Sequence, residues 1–256
     1  MALRRPGLPR RRSASHSRWA GSLMKTVFSD IDKVLMFDLH VAPETLALIQ
    51  QVRSVAPFIL VTARSANSVS AIPPIPHDHL IVENGCVVYD GDEIDAAWAE
   101  RIRPYLPAVE AYKRKLGLIF RPKTSMISVG VTENELTSAD TERITQELPP
   151  ELVLRTSSNE RGTFLEMYPR IAGKAAALRY LAGKLGAPIE DTCALGDDLV
   201  DIEMLEACGY PITHQEAREA VIALVRERGG YVAPAGGHAA SADMLREALR
   251  WASTST

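Results

Sequence analysis

Carboxylates, one lysine and one threonine stand where this sequence would otherwise be building apolar strands. In "TVFSDIDKVLMF", residues 26–37, Asp30 and Asp32 lie two apart among Val27, Phe28, Ile31, Val34, Leu35 and Phe37. Burying an unpaired charge costs several kcal/mol or more, so the pair implies a strand end or a positive partner. A second acidic group, Asp197, Asp198 and Asp201, follows in "LGDDLVD". Between the two groups, Thr62 closes the run "FILVT", Asn84 closes "HLIVEN", and Lys174 opens "KAAALRYL". Several carboxylates converge stably only around a cation, and an all-oxygen set suits a hard divalent ion, Mg²⁺ above all. Each element alone is weak. Acidic residues at strand ends commonly cap the next helix, and Asp198 reads as such a cap. Thr62 alone reads as a satisfied hydroxyl, and Arg64 as a surface charge at a helix start. The order in which they occur carries the weight.

The elements around these residues place them on one edge. "PETLALIQQVRSV" has Pro43 at a helix start and apolar Leu46, Ile49 and Val52 at helical spacing. "FILVTA" and "HLIVENG" are short apolar runs, the mark of strands buried on both faces. Strand, helix, strand, helix, strand predicts a doubly wound, Rossmann-like α/β sheet. From about residue 87 to 169 the pattern changes to a hairpin-like "VVYDGDE", one helix through "AAWAERIRPYLPAVEAYKRKLG" (96–117), strands at "SMISVGV", a helix at "NELTSADTERITQEL", and paired strands at "LVLRTSS" and "TFLEMYP". That predicts an inserted α+β module. The first pattern resumes with "KAAALRYLAGKLG" and "DTCALGD". The expected division is therefore a basic tail over 1–23, a core over 24–86 and 170–256, and an insertion over 87–169. Ligands of open α/β sheets bind at the carboxyl ends of the strands, where Asp30, Asp32, Thr62, Asn84 and Asp197 would meet.

The 256 residues carry a net charge of −3 and are 46% hydrophobic, which argues against a global nucleic-acid-binding field. Cys86, Cys193 and Cys208 form no CxxC pair and suit a reducing compartment. No apolar run approaches the ~18 residues of a membrane span. The expectation is a cytoplasmic protein, monomer or homodimer. "MALRRPGLPRRRSASHSRWAGSL" is Arg- and Ser-rich and reads as a tail, or as an upstream start ahead of Met24.

"DIDKVL", "VTAR", "AGKAAALRYL" and "LGDDLVDIEML", in that order, resemble the four motifs of the haloacid dehalogenase superfamily of phosphohydrolases. The insertion is similar to the α/β cap of its Cof-type branch, and "FLEMYPRIAGKAAALRYL" resembles the sucrose-phosphate and trehalose-phosphate phosphatases. The resemblance implies an aspartyl-phosphate mechanism. Asp30 would be the nucleophile, and Asp32 the acid and then the base. Thr62 would donate to a phosphate oxygen, and Lys174 would neutralise developing charge. It further implies Mg²⁺ held by Asp30, the backbone carbonyl of Asp32 and Asp197, with Asp201 acting through water or by orienting Lys174.

Two positions depart from the family pattern. Lys33 stands where Gly is usual after the second Asp, and Val200 where Asn usually precedes the last Asp. Arg64, Asn84, Lys123 in "FRPKTS" and Glu166 in "TFLEMYP" are the candidate substrate-binding residues, since sugar hydroxyls need such hydrogen-bonding groups. Surface salt bridges are the bland alternative for Lys123 and Glu166. Trp98, Tyr105 and Tyr112 read as an apolar stripe, the histidines as structural or exposed, and Lys184 as solvated. The expected activity is Mg²⁺-dependent removal of phosphate from a small phosphorylated sugar or sugar-like metabolite. The alternatives are a phosphotransferase or mutase of the same fold, and a silent phospho-ligand binder.

Overall fold

The computed structural model describes residues 25–116, 121–122, 129–132, 138–159 and 162–254. Four short runs, β1 (Thr26–Ser29), β2 (Phe58–Val61), β3 (His79–Val82) and β10 (Thr192–Leu195), are buried at every position. A strand inaccessible on both faces must sit inside a sheet covered by helices, and parallel pairing follows. β1 pairs in parallel with β2 on one side and β10 on the other; β2 pairs with β3, β10 with β11 (Tyr210–His214), and β11 with β12 (Tyr231–Ala233). The full order is β12-β11-β10-β1-β2-β3-β4-β5. The chain thus runs outward from β1 in one direction, then returns to its other side. That reversal opens the crevice in which doubly wound folds bind ligands.

The strands β4 (Val87–Asp90) and β5 (Glu93–Ile94), which the sequence suggested as the opening of the insertion, pair antiparallel onto β3 and extend the large sheet. Helix α1 (Pro43–Val55) buries Thr45, Leu48, Ile49 and Val52 against the sheet, and α2 (Ala66–Ser70) follows β2. The single helical stretch expected over 96–117 divides into α3 (Ala96–Ile102), a tight turn at Arg103–Tyr105, and α4 (Leu106–Leu116). Pro104 lies at the break, consistent with its inability to continue an i→i−4 ladder.

A smaller antiparallel sheet has the order β6 (Arg121–Pro122), β7 (Val129–Thr132), β9 (Gly162–Pro169), β8 (Leu152–Asn159). Val109 and Tyr112 of α4, Ile144 of α5 (Ser138–Gln146), Leu152 and Met167 form its own small core. Tyr112 also donates its hydroxyl to Ile144 O at 2.6 Å. The chain re-enters the large layer through α6 (Lys174–Leu185), α7 (Ile202–Ala207), α8 (Glu219–Glu227) and α9 (Gly237–Ser253). Trp98 is buried in the core of the large sheet, donating its indole N–H to Gly85 O at 2.9 Å and packing 4.8 Å from the Tyr180 ring. No helix among the described residues is long and apolar enough to cross a membrane.

Candidate active site

Buried strands deliver Asp30, Thr62 and Asp197, and a helix start delivers Lys174. Asp30 comes directly after β1, with its amide bonded to Leu195 O at 2.9 Å. Thr62 comes directly after β2, bonded through its amide to Ile81 O at 2.9 Å, and its own carbonyl accepts from Asn84 N at 3.1 Å. The ends of β1, β2, β3 and β10 are thus stitched edge to edge. Asp197 and Asp201 follow β10, and Lys174 is the first residue of α6.

Lys174 is the centre of the arrangement. Its Nζ lies 2.6 Å from Asp30 Oδ1 and 2.6 Å from Asp201 Oδ1, with all three side chains buried. The other Asp201 oxygen accepts from the amides of Asp197 at 3.0 Å and Asp198 at 3.1 Å. Asp201 is therefore fully engaged by protein donors. Gly196 makes that loop possible, because a Cβ there would stand 2.6 Å from Asp201 Cβ. Asp198 caps the following turn through Leu199 N, as its position suggested.

Asp30, Asp197 and Asp201 each offer an oxygen within 4.8 Å of the others. Counting these three carboxylates (−3) against Lys174 (+1) leaves two negative charges, the charge of one divalent cation. The titration of the group carries the same message. Burial raises the Asp30 carboxyl to about 7 against the pull of Lys174, and the Asp201 and Asp32 charges add to the rise. Burial likewise drives Asp197 well above the carboxylate range, reinforced by Asp201, Asp30 and Asp198. Burial opposes the charge on Lys174, yet Asp201 and Asp30 outweigh it and hold the ammonium ionised. A hard divalent ion among these oxygens fits the donor chemistry, and Asp30 and Asp197 are the carboxylates with the most to gain from it.

Asp32 stands apart from that cluster. Its carboxylate takes two hydrogen bonds from Arg64, from Nε at 2.7 Å and from the terminal nitrogen Nη2. Arg64 in turn donates its amide to Thr62 Oγ1 at 3.1 Å. Arg64, read as a surface charge at a helix start or a candidate substrate-binding residue, here grips the second aspartate. Sequence order held no signal for that pairing across 32 residues.

Asn84 and Glu166 are brought together. Asn84 Nδ2 donates to Glu166 Oε2, and both residues are buried. Asn84 Oδ1 is buried and has no partner among the described residues. Glu83, Asn84 and Gly85 form three consecutive left-handed residues, with φ of 54°, 53° and 89°. Lys33 also lies in the left-handed region, at φ 58°, which gives a physical reason why glycine is usual at that position. Val200 is half-buried. Lys123 lies outside the described residues. Lys184, expected to be solvated, instead bonds Asp90 at 2.9 Å and also Asp95.

Over residues 114–231 the sequence matches the family of haloacid dehalogenase-like hydrolases. It is 46% identical over 54 residues to the phosphatase YwpJ of Bacillus subtilis, a match covering 21% of this chain and 19% of that relative. Two solved structures share the fold across nearly the whole chain. The sucrose-phosphatase of Synechocystis, in complex with sucrose and phosphate, superposes with a TM-score of 0.65 at 17% identity, covering 90% of this chain and 98% of that one. BT1666 of Bacteroides thetaiotaomicron, described among phosphatases of the haloalkanoate superfamily, gives 0.63 at 19% identity, covering 95% and 98%. The four motifs thus stand in order along one sheet edge, and over residues 114–231 the chain is similar to the haloacid dehalogenase-like hydrolases.

Proposed function

We propose that the protein is a Mg²⁺-dependent phosphohydrolase that removes phosphate from a small phosphorylated sugar or sugar-like metabolite through an aspartyl-phosphate. The observation that carries this reading is Lys174 held between buried Asp30 and Asp201 at the switch point of the sheet. A structural ion pair has no need of three buried carboxylates around one lysine. Asp30, Asp197 and the backbone carbonyl of Asp32 would hold the ion, with Asp201 outside them. The ion supplies charge neutralisation that lets an anionic nucleophile approach an anionic phosphate.

Within that arrangement Asp30 attacks phosphorus through one carboxylate oxygen. Lys174 and the Thr62 hydroxyl face the phosphoryl oxygens as charge accumulates on them. Asp32 protonates the departing sugar oxygen, then takes a proton from the water that cleaves the aspartyl ester. Arg64 keeps Asp32 oriented between those two transfers. Residues from about 95 to 169 form a cap over the edge. Asn84, Glu166 and Lys123 are the groups proposed to read the leaving sugar, a reading supported by the sucrose found with the Synechocystis neighbour. Cys86, Cys193 and Cys208 are buried and form no disulfide with one another, consistent with a reducing compartment.

The experiment is phosphate release from a panel of sugar phosphates, with and without Mg²⁺, using Asp30→Asn as control. The expected result is metal-dependent release that vanishes in the variant. Transfer of phosphate to a second sugar without free phosphate would replace the hydrolase by a transferase. Binding without turnover would replace it by a silent receptor.

A further inference from the structure

Side chains on the smaller sheet alternate between its two faces. Leu152, Leu154 and Met167 turn toward the small core with α4 and α5. Val153 and Tyr168, one position on, join the core of the large sheet, so that face abuts the catalytic layer. Arg155 and Glu166 share this face and are direct register partners on β8 and β9. Each reaches across to the core. Arg155 forms an ion pair with Glu203 on α7, the helix that begins immediately after Asp201. Glu166 accepts from the side-chain amide of Asn84, whose backbone N–H donates to the carbonyl of Thr62. One rung of the small sheet therefore touches both flanks of the catalytic edge, the acidic-loop side and the threonine side. The Arg155 contact lies at the rim, with side chains 38% and 50% exposed, whereas the Glu166 contact is buried.

We propose that Arg155 is a positioning residue. By seating on Glu203 at the rim, it fixes the height of the rung it shares with Glu166 and so keeps that carboxylate beside Asn84. Cross-strand partners lie about 5 Å apart and are tied by the ladder, so an anchor on one is an anchor on the other. A rim pair is also weak enough to open: exposed ion pairs shift an equilibrium by roughly fivefold at most, and salt screens them. The cap can then release and reseat in each cycle while always returning to one register. This inference rests on the reading of residues 95–169 as the cap of a phosphatase.

The test is a charge-reversal cycle in the full chain: R155E, E203R and the double variant. Two readouts are followed. The first is kcat/KM for the best sugar phosphate relative to p-nitrophenyl phosphate, whose leaving group has no hydroxyls for Glu166 to read. The second, independent of turnover, is amide exchange over 83–86 and 199–203, the core segments under the rung. Each single variant is expected to lower the ratio about fivefold through KM and to speed exchange, and the double variant to restore both. Raising salt in the wild type should mimic the single variants. Singles that leave exchange unchanged, or a double variant that restores neither readout, would overturn the proposal. If the wild type hydrolyses no ester while exchange follows the cycle, the phosphatase reading falls and the positioning role stands.

Discussion

Gly85 runs so close to Gly173 that a Cβ on Gly85 would lie 2.2 Å from the Gly173 carbonyl oxygen. That carbonyl accepts from Ala177 in the first turn of α6, the helix that opens with Lys174. The contact joins the end of β3 to the residue just before Lys174. Gly85 also has a φ of 89°, where a side chain is strained regardless of space. Gly85→Ala is therefore expected to destabilise by about 2 kcal/mol or more, from overpacking and backbone strain together. Activity should fall further than stability explains, because the backbone that must give way carries Lys174. Chemical denaturation with parallel kcat measurements checks this; a variant with unchanged kcat would show that α6 does not move.

The acidic cluster predicts opposite responses to pH with and without a divalent ion. The folded-state value of Asp30 is raised from 3.8 to about 7, so its protonated form favours the fold. Its contribution is present below the unfolded value and is lost as pH rises through about 7. In chelator, the difference in Tm between wild type and Asp30→Asn should thus fall between about pH 4 and pH 7. Saturating Mg²⁺ should flatten or reverse that slope, since the ion favours the ionised carboxylate. A slope indifferent to Mg²⁺ would argue against a cation at Asp30.

Asp95 behaves in the other direction. Burial pushes its carboxyl up, but hydrogen bonds from Lys184, Tyr180 and the Trp98 amide outweigh that and hold it below the usual value. Its contribution is present above the unfolded value and is lost as pH falls through the lower folded one. Asp95→Asn keeps the helix cap and loses the charge, so it should cost about 1–3 kcal/mol at neutral pH and less in acid. A pH-independent difference between the two proteins would rule out the charge as the source.

Lys33→Gly relieves a left-handed backbone at the residue after Asp32. The expected change is a stabilisation of up to about 1 kcal/mol, the strain removed less the chain entropy that glycine adds. Urea midpoints of the two proteins decide it. A destabilised variant would mean that the lysine side chain makes a contact worth more than the strain.

The positions of the candidate site residues were readable because local chemistry dictates them. A short, mostly apolar run bounded by turn signals suits an interior strand, and a polar residue that closes it falls at the strand's carboxyl end; Asp30, Thr62, Asn84 and Asp197 follow from that rule. The order of elements then implied the reversal beside β1 and hence the crevice. Lys174 at a helix start was legible in the same way, through its place between the two acidic groups.

What each group touches was decided by the tertiary structure, because contacts between distant residues leave no periodic trace in a chain. Arg64 meeting Asp32, Lys184 meeting Asp95, and the Arg155–Glu166 rung meeting Glu203 and Asn84 all depend on how strands register and layers abut. The hairpin β4–β5 reads the same whether it opens an insertion or widens the large sheet, and only pairing with β3 chose between them. The alphabet of the site was written in local patterns of burial and charge; its connections exist only where β-register and sheet order bring those residues within hydrogen-bonding distance.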